Sequence, residues 1–188
     1  MADYVYTCCG DSVFPEWVEY IINNYEGITA ENNPPDPGAW TKFGICQLDV
    51  DPKTHQKFTE EGIKALTMDE AVDIYKTKYW NIMGCSDMPA AIAMEVLDFG
   101  INAGVSRAIT TLQHLVYSQK IDGIWGPSTL NDLRYYLSKH SLSELVEGYA
   151  AYREQCYIRW SSVKGQEIFR NGWLNRNNDC KKRALALI

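Results

Sequence analysis

The stretch from Ala90 to Ala103, set between Pro89 and Gly104, is apolar nearly all the way round. A helix without a polar face is stable only where other elements wrap it, so this segment predicts a mainly α domain built around a buried central helix. Asp98 and Asn102 interrupt it. Being four apart, they share one face, and two polar side chains project together from an otherwise apolar rod.

The remaining sequence supplies the surrounding elements. Phe14, Trp17, Val18, Ile21, Ile22 and Tyr25 recur at spacings of three and four, which is one apolar helical face, with Ser12 available as a cap and Pro15 tolerable in the first turn. This helix stops near Glu26-Gly27. The segment Asn32-Asn33-Pro34-Pro35-Asp36-Pro37-Gly38 then removes backbone donors and admits unusual backbone angles, so residues 28–50 read as a small β-hairpin or irregular loop region. Thr67-Met-Asp-Glu70 is a capping box opening a helix with Met68, Val72, Tyr75, Tyr79 and Ile82 on one face. Ser106 is placed to cap a helix carrying Ile109, Leu112, Leu115 and Val116. A compact turn at Asp122-Gly-Ile-Trp-Gly-Pro127 leads into another helix over Ser128 to Lys139. Ser141-Leu-Ser-Glu144, a second capping box, starts a long helix through Leu145, Tyr149, Tyr152 and Cys156.

Composition narrows the function. With 188 residues and 46% apolar content, the chain suffices for one domain or two small lobes sharing a core. Nothing approaches the ~20 consecutive apolar residues of a membrane span, so stable membrane insertion is not expected. Asp3, Asp11, Glu16 and Glu19 occupy the first thirty positions where a secretory signal would be basic and then apolar. The six cysteines (Cys8, Cys9, Cys46, Cys85, Cys156, Cys180) include no Cys-x-x-Cys pair, and with His55, His114 and His140 they show no zinc-ligand spacing; buried free thiols are expected and no metal. Residues 1–100 carry 6 Lys/Arg against 17 Asp/Glu, and 101–188 carry 12 against 7. The acidic half argues against general nucleic-acid binding. The basic half suits either an anionic polymer or an ordinary solvated surface.

A carboxyl at a helix end, followed by a Pro/Gly-rich loop bearing a second carboxyl and a threonine, is an acid-plus-partner arrangement. Glu26, Asp36 and Thr41 are its candidates. Cleaving a glycosidic bond needs one carboxylic acid kept protonated to give the leaving oxygen its hydrogen, and Glu26 stands at the negative pole of its helix, where a charged carboxylate is disfavoured. Asp36, on the polar loop, would remain ionised, and Thr41 would hold a water. Asp98 and Asn102 either hydrogen-bond the acetamido and hydroxyl groups of a sugar or satisfy neighbouring backbone groups, since buried polar groups need partners in both cases; the same two readings apply to Gln113. Trp80 and Trp125 either stack on pyranose faces or fill the core.

The run from Tyr25 through Glu26-Gly-Ile and Asp36-Pro-Gly-Ala-Trp-Thr-Lys-Phe-Gly-Ile45 resembles the Glu-Gly-Gly-Tyr … Asp-Pro-Gly-Gly-x-Thr-x-Tyr-Gly-Ile signature of glycoside hydrolase family 108, lysozyme-like muramidases of phages and their hosts. Tyr79-Trp80, Asp98-x-x-x-Asn102-x-Gly104, Leu112-Gln113, Asp122-Gly-Ile-Trp-Gly-Pro-x-Thr-Leu130, Arg153 and Gly172-Trp-Leu-Asn-Arg176 continue the match, which covers about residues 14 to 183. Ile28 and Ala39 stand where the family usually has glycine, so the loop geometry is open to change. The resemblance implies a lysozyme-like fold, Glu26 as the essential acid, and a spacing to Thr41 similar to the Glu…Asp/Cys…Thr triad of phage lysozymes, with Asp36 in the middle.

It further implies a catalytic lobe over 1–105 and a helical peptidoglycan-binding-like lobe over 106–188, packed as one globular unit. The expected reaction is cleavage of the β-1,4 bond between N-acetylmuramic acid and N-acetylglucosamine in peptidoglycan glycan strands, without metal or organic cofactor. A glucosaminidase, a lytic transglycosylase, or a non-catalytic wall-binding or secretion-accessory protein are the alternatives. As an endolysin the chain is expected to be a monomer made in the host cytoplasm, dependent on a separate membrane-pore protein, a holin, to reach the periplasm.

Overall fold

The structure, a computed structural model, describes residues 10–32, 39–51 and 53–188. Asp36 in the Pro/Gly loop, and Cys8 and Cys9, lie outside the described residues. Two compact units divide the chain: Phe14–Lys78, and the described residues before Phe14 together with Tyr79–Ile188.

In the first unit, α1 (Phe14–Ile21) buries Phe14, Trp17, Val18 and Ile21, the apolar face read from the sequence. The helix does not stop cleanly. Its last turn, Ile22–Glu26, widens to π geometry, and the Gly27 N–H donates to the Ile22 carbonyl at 3.0 Å. Gly27, at φ 81°, ends the helix by a backbone angle that side chains disfavour. A three-stranded antiparallel sheet follows in the order β1 (Glu31–Asn32), β2 (Trp40–Lys42), β3 (Ile45–Cys46). Next come α2 (Glu60–Ala65), capped by the Thr59 hydroxyl, and α3 (Met68–Tyr75), with both bonds of the Thr67/Glu70 capping box formed. α1 packs on α3, and α2 packs on β2. Lys42 ties sheet to helix, its ammonium donating to the Lys64 and Leu66 carbonyls (2.9 and 2.7 Å) at the negative end of α2.

The face expected after Thr67 is only partly the buried one. α3 buries Ala71, Ile74 and Tyr75, and a π turn then spans Lys76–Trp80. The extra residue in that turn shifts the helical register by one, so Trp80 is buried while Tyr79 is half-exposed and Ile82 exposed.

In the second unit, α4 (Ala90–Ala103) buries every residue from Ala90 to Gly100. It is packed among α5 (Val105–Leu115), α7 (Leu142–Ser161) and α8 (Arg170–Leu185), with α6 (Pro127–Leu137) against α5. The expectation of an apolar rod wrapped by helices matches this layout. So do the Ser141/Glu144 capping box of α7 and the proline in the first turn of α6. α5 starts two residues earlier than Ser106 implies, with Gly104 at its cap and Ser106 within the first turn. Along the chain the boundary between the units falls at Lys78/Tyr79, and α4 belongs with the helices that follow it and cover it. Cys85, Cys156 and Cys180 are buried free thiols, and Cys46 is half-buried and free. No helix among the described residues is long and apolar enough to cross a membrane.

Candidate active site

β2 and β3 are joined by two residues, Phe43 and Gly44, both with positive φ (56° and 73°), the twist-matched arrangement of a tight hairpin. An aromatic residue in the left-handed region is a strained one. Three contacts hold Phe43 there: its N–H donates to the Gly27 carbonyl (3.0 Å), its carbonyl accepts from the Tyr75 hydroxyl (2.9 Å), and its ring is buried. The turn is thereby pressed onto the end of the first helix. A Cβ at position 44 would lie 2.5 Å from the Tyr75 hydroxyl, 2.9 Å from Glu26 Oε2 and 3.0 Å from Glu26 Cβ. Only glycine leaves room for the half-buried Glu26 carboxylate, which rests against backbone on that side.

Thr41 occupies the same hairpin, half-buried on the middle strand, with Glu31 and Cys46 as its cross-strand partners. Directly opposed residues of an antiparallel pair put their side chains on one face, so an exposed carboxyl, Glu31, stands beside Thr41. Sequence reasoning passed over Glu31, because a two-residue strand shows no alternation to read. It passed over Tyr75 as a site residue as well, having counted it only as a helix face. Among the described residues, no group of three or more His, Cys, Asp or Glu side chains is placed to hold a metal ion.

The other candidates lie in the second unit, and for three of them the structure corrects the sugar-binding reading. Asp98 is fully buried and engaged twice, by Arg153 and by Arg176 Nε at 2.9 Å; with Glu95, whose Oε2 accepts from Arg153 Nη1 at 2.5 Å, it forms an ion cluster tying α4 to α7 and α8. Burial pushes the Glu95 carboxyl up to about 7, opposed by Arg153. Gln113 is 1% exposed, and its amide holds the turn before α6. Its nitrogen donates to Asp122 Oδ1, the Ile124 carbonyl and Thr129 Oγ1, and its oxygen accepts from the Asp122 and Gly123 N–H groups, all at 2.9–3.2 Å. Trp80 has no exposed surface, and its Nε1 donates to Asp11 (3.0 Å) and Ser86 (2.9 Å). None of the three presents a face to a ligand. Trp125 is half-exposed with its indole set against Gly84, and Asn102 is half-exposed at the mouth of a cavity of ≈ 440 Å³.

A helical domain with a short antiparallel hairpin after a helix that ends on a glutamate is the lysozyme-like class of glycoside hydrolase. The sequence profile of Glycosyl hydrolase 108 matches residues 19–104. Among solved structures, the chain is similar to Brucella abortus SagA, at 30% identity and a TM-score of 0.76 over 94% of this chain and 96% of that one. No curated protein sequence matches it. The chain belongs to the glycosyl hydrolase 108 family.

Proposed function

We propose that the protein is a peptidoglycan hydrolase, a muramidase that cuts the β-1,4 bond between N-acetylmuramic acid and N-acetylglucosamine with Glu26 as general acid. The observation that supports this reading is the close approach of the half-buried Glu26 side chain to Gly44, in a turn that the Tyr75 hydroxyl holds. A general acid acts only from hydrogen-bond reach of the leaving oxygen, and small displacements are costly, so a donor fixed by backbone is favoured over a mobile surface carboxyl. Glu26 gives its proton to the bridging oxygen as positive charge develops on the departing sugar carbon. Asp36 is the partner carboxylate that stays ionised, and Thr41 holds the attacking water.

Mass spectrometry of fragments released from purified sacculi tests the reading. New reducing N-acetylmuramic acid ends are expected. Anhydro ends would assign a lytic transglycosylase, reducing N-acetylglucosamine ends a glucosaminidase, and wall binding without any release a non-catalytic protein.

A further inference from the structure

Residues 162–172, the connection from α7 to α8 and the first residues of α8, are exposed without a break. Single apolar side chains on a surface need no account, but three large ones share this turn: Val163, Ile168 and Phe169, at 59%, 79% and 46% exposure. Among the described residues, Ile168 is the most exposed large apolar side chain. The turn is also held from behind. Phe169 stacks on Trp173 (ring centres 5.6 Å apart, 28°), Trp173 meets Trp160 edge-on (6.1 Å, 85°), and Trp160 lies nearly parallel to the buried Phe99 ring (6.2 Å, 14°). This run of rings ties the turn to α4, so Phe169 is kept at the surface rather than left to fold inward.

Charge sets the turn apart from the rest of the chain. The chain carries a net −6, yet the charged residues of the turn are two cations, Lys164 and Arg170, and one acid, Glu167. That acid is turned back on the turn, accepting from the Gly165 N–H at 2.6 Å. Arg107 of α5 adds a third cation: its guanidinium lies 4.8 Å from the Trp160 ring centre, and it lines a cavity of ≈ 440 Å³ together with Val163 and Trp173. None of the three cations forms an ion pair among the described residues, whereas Arg153, Arg176 and Arg183 all do. Exposed aliphatic and aromatic side chains flanked by unpaired cations suit a partner that is apolar beneath a layer of negative charge. A bilayer with anionic headgroups has that layering, and Lys and Arg stems run along apolar neighbours while their heads stay at the phosphates. A polyanionic polymer would leave Ile168 and Phe169 in water. A second copy of the chain fits poorly, because a two-fold contact over the turn would set Lys164 and Arg170 against the same residues of the other copy.

We propose that the turn between α7 and α8 docks reversibly on an anionic phospholipid bilayer, with Val163, Ile168 and Phe169 entering the boundary between headgroups and acyl chains and Arg107, Lys164 and Arg170 at the lipid phosphates. The chain then lies on the membrane without crossing it. The inference goes beyond the muramidase reading and does not depend on it. The test is sedimentation of the full chain at low salt with vesicles of phosphatidylglycerol mixed into phosphatidylcholine, against vesicles of phosphatidylcholine alone. The vesicles hold no glycan, so the result is read apart from any cleavage. Binding to the anionic vesicles is expected to be stronger by on the order of tenfold or more. Ile168→Asn should weaken it roughly tenfold, and Lys164→Gln roughly fivefold on the anionic vesicles alone. Ile82→Asn removes a comparably exposed isoleucine outside the turn (57%) and should change nothing. Ile168 and Lys164 are both exposed, so their variants read the surface with the fold intact, which an unchanged melting temperature checks. No sedimentation with anionic vesicles, equal binding to both kinds, or an Ile168→Asn protein that binds like its parent would each overturn the proposal. So would a dimer in light scattering that Ile168→Asn dissociates while vesicle binding is unchanged, which would assign the turn to a second copy. A loss on lipid-free sacculi without a loss on vesicles would assign it to the wall polymer and overturn the proposal as well.

Discussion

Gly44→Ala is the sharpest perturbation the geometry offers. The residue has φ +73°, and holding alanine in a left-handed conformation costs ~1–2 kcal/mol. The new methyl would also stand 2.5 Å from the Tyr75 hydroxyl, so that hydroxyl must move and its bond to the Phe43 carbonyl is lost, at about 1 kcal/mol. The sum, about 2–3 kcal/mol, corresponds to a fall of roughly 4–12 °C in melting temperature for a chain of this size. The methyl would further sit 2.9 Å from Glu26 Oε2 and 3.0 Å from its Cβ, so the acid must shift. A displacement of about 1 Å at a catalytic group costs on the order of 100-fold in turnover. Scanning calorimetry and turbidity clearance of purified sacculi read the two effects separately. Gly148→Ala in α7 is the control, because a Cβ there meets only Leu115 Cδ2 at 3.5 Å, an ordinary contact, and alanine favours the helix by up to ~1 kcal/mol. Tyr75→Phe removes the nearest clashing atom, so the double variant should be less unstable than the two single losses added together, with a coupling of about 1 kcal/mol. A Gly44→Ala protein that melts and clears sacculi like its parent would refute the packing of this turn against Glu26.

Three further outcomes are expected. The Glu95 carboxyl ionises at its ordinary 4.5 in the unfolded chain and near 7 in the fold; the native state therefore holds a proton that the unfolded state has lost, and stability falls as pH rises from about 4.5 to 7, levelling above. Glu95→Gln should abolish that part of the slope, on the order of 3 kcal/mol in urea titrations across the interval, and parallel pH profiles would contradict a Glu95 carboxyl raised by burial. Gln113→Ala removes the acceptor of the Asp122 and Gly123 N–H groups and the donor to three further groups, so a loss of about 2–4 kcal/mol with faster amide exchange over 122–129 is expected; a change below about 0.5 kcal/mol would deny its part in the turn. In alkylation with peptide mapping, half-buried Cys46 should label at least about tenfold faster than Cys85 and Cys180, whose thiols burial holds well above their usual range; equal rates would contradict that burial.

Much of the fold was legible because its signals are local. The all-round apolarity of 90–103 requires a wrapped helix, and the two capping boxes are four-residue patterns that set helix starts without help from the rest of the chain. What escaped is set by tertiary geometry. Two π turns, at Ile22–Glu26 and Lys76–Trp80, add a residue to a helix without altering the apolar spacing that announces it, and the second put Trp80 inside where Tyr79 was expected. Asp98 and Gln113 are polar residues in buried positions, a pattern shared by ligands and by internal staples. The partners that decide between the two readings, Arg153 and Arg176 for one and the 122–129 turn for the other, lie far along the chain or depend on a fold the pattern does not encode. That a helix ends at Glu26 before a Pro/Gly loop was legible, whereas the approach of Gly44 to that side chain depends on a strained Phe43 held by Gly27 and Tyr75.

The central claim concerns a single proton. Glu26→Gln keeps the size of the side chain and removes the acid, so its turnover on purified sacculi, measured as new reducing ends per enzyme with sedimentation of bound protein in parallel, isolates the step. Turnover is expected to fall at least about 100-fold, the contribution of general acid catalysis, while wall binding and melting temperature stay with the parent. Cleavage by Glu26→Gln within a fewfold of the native rate would show that another group supplies the hydrogen, and the mechanism would have to be rebuilt around it.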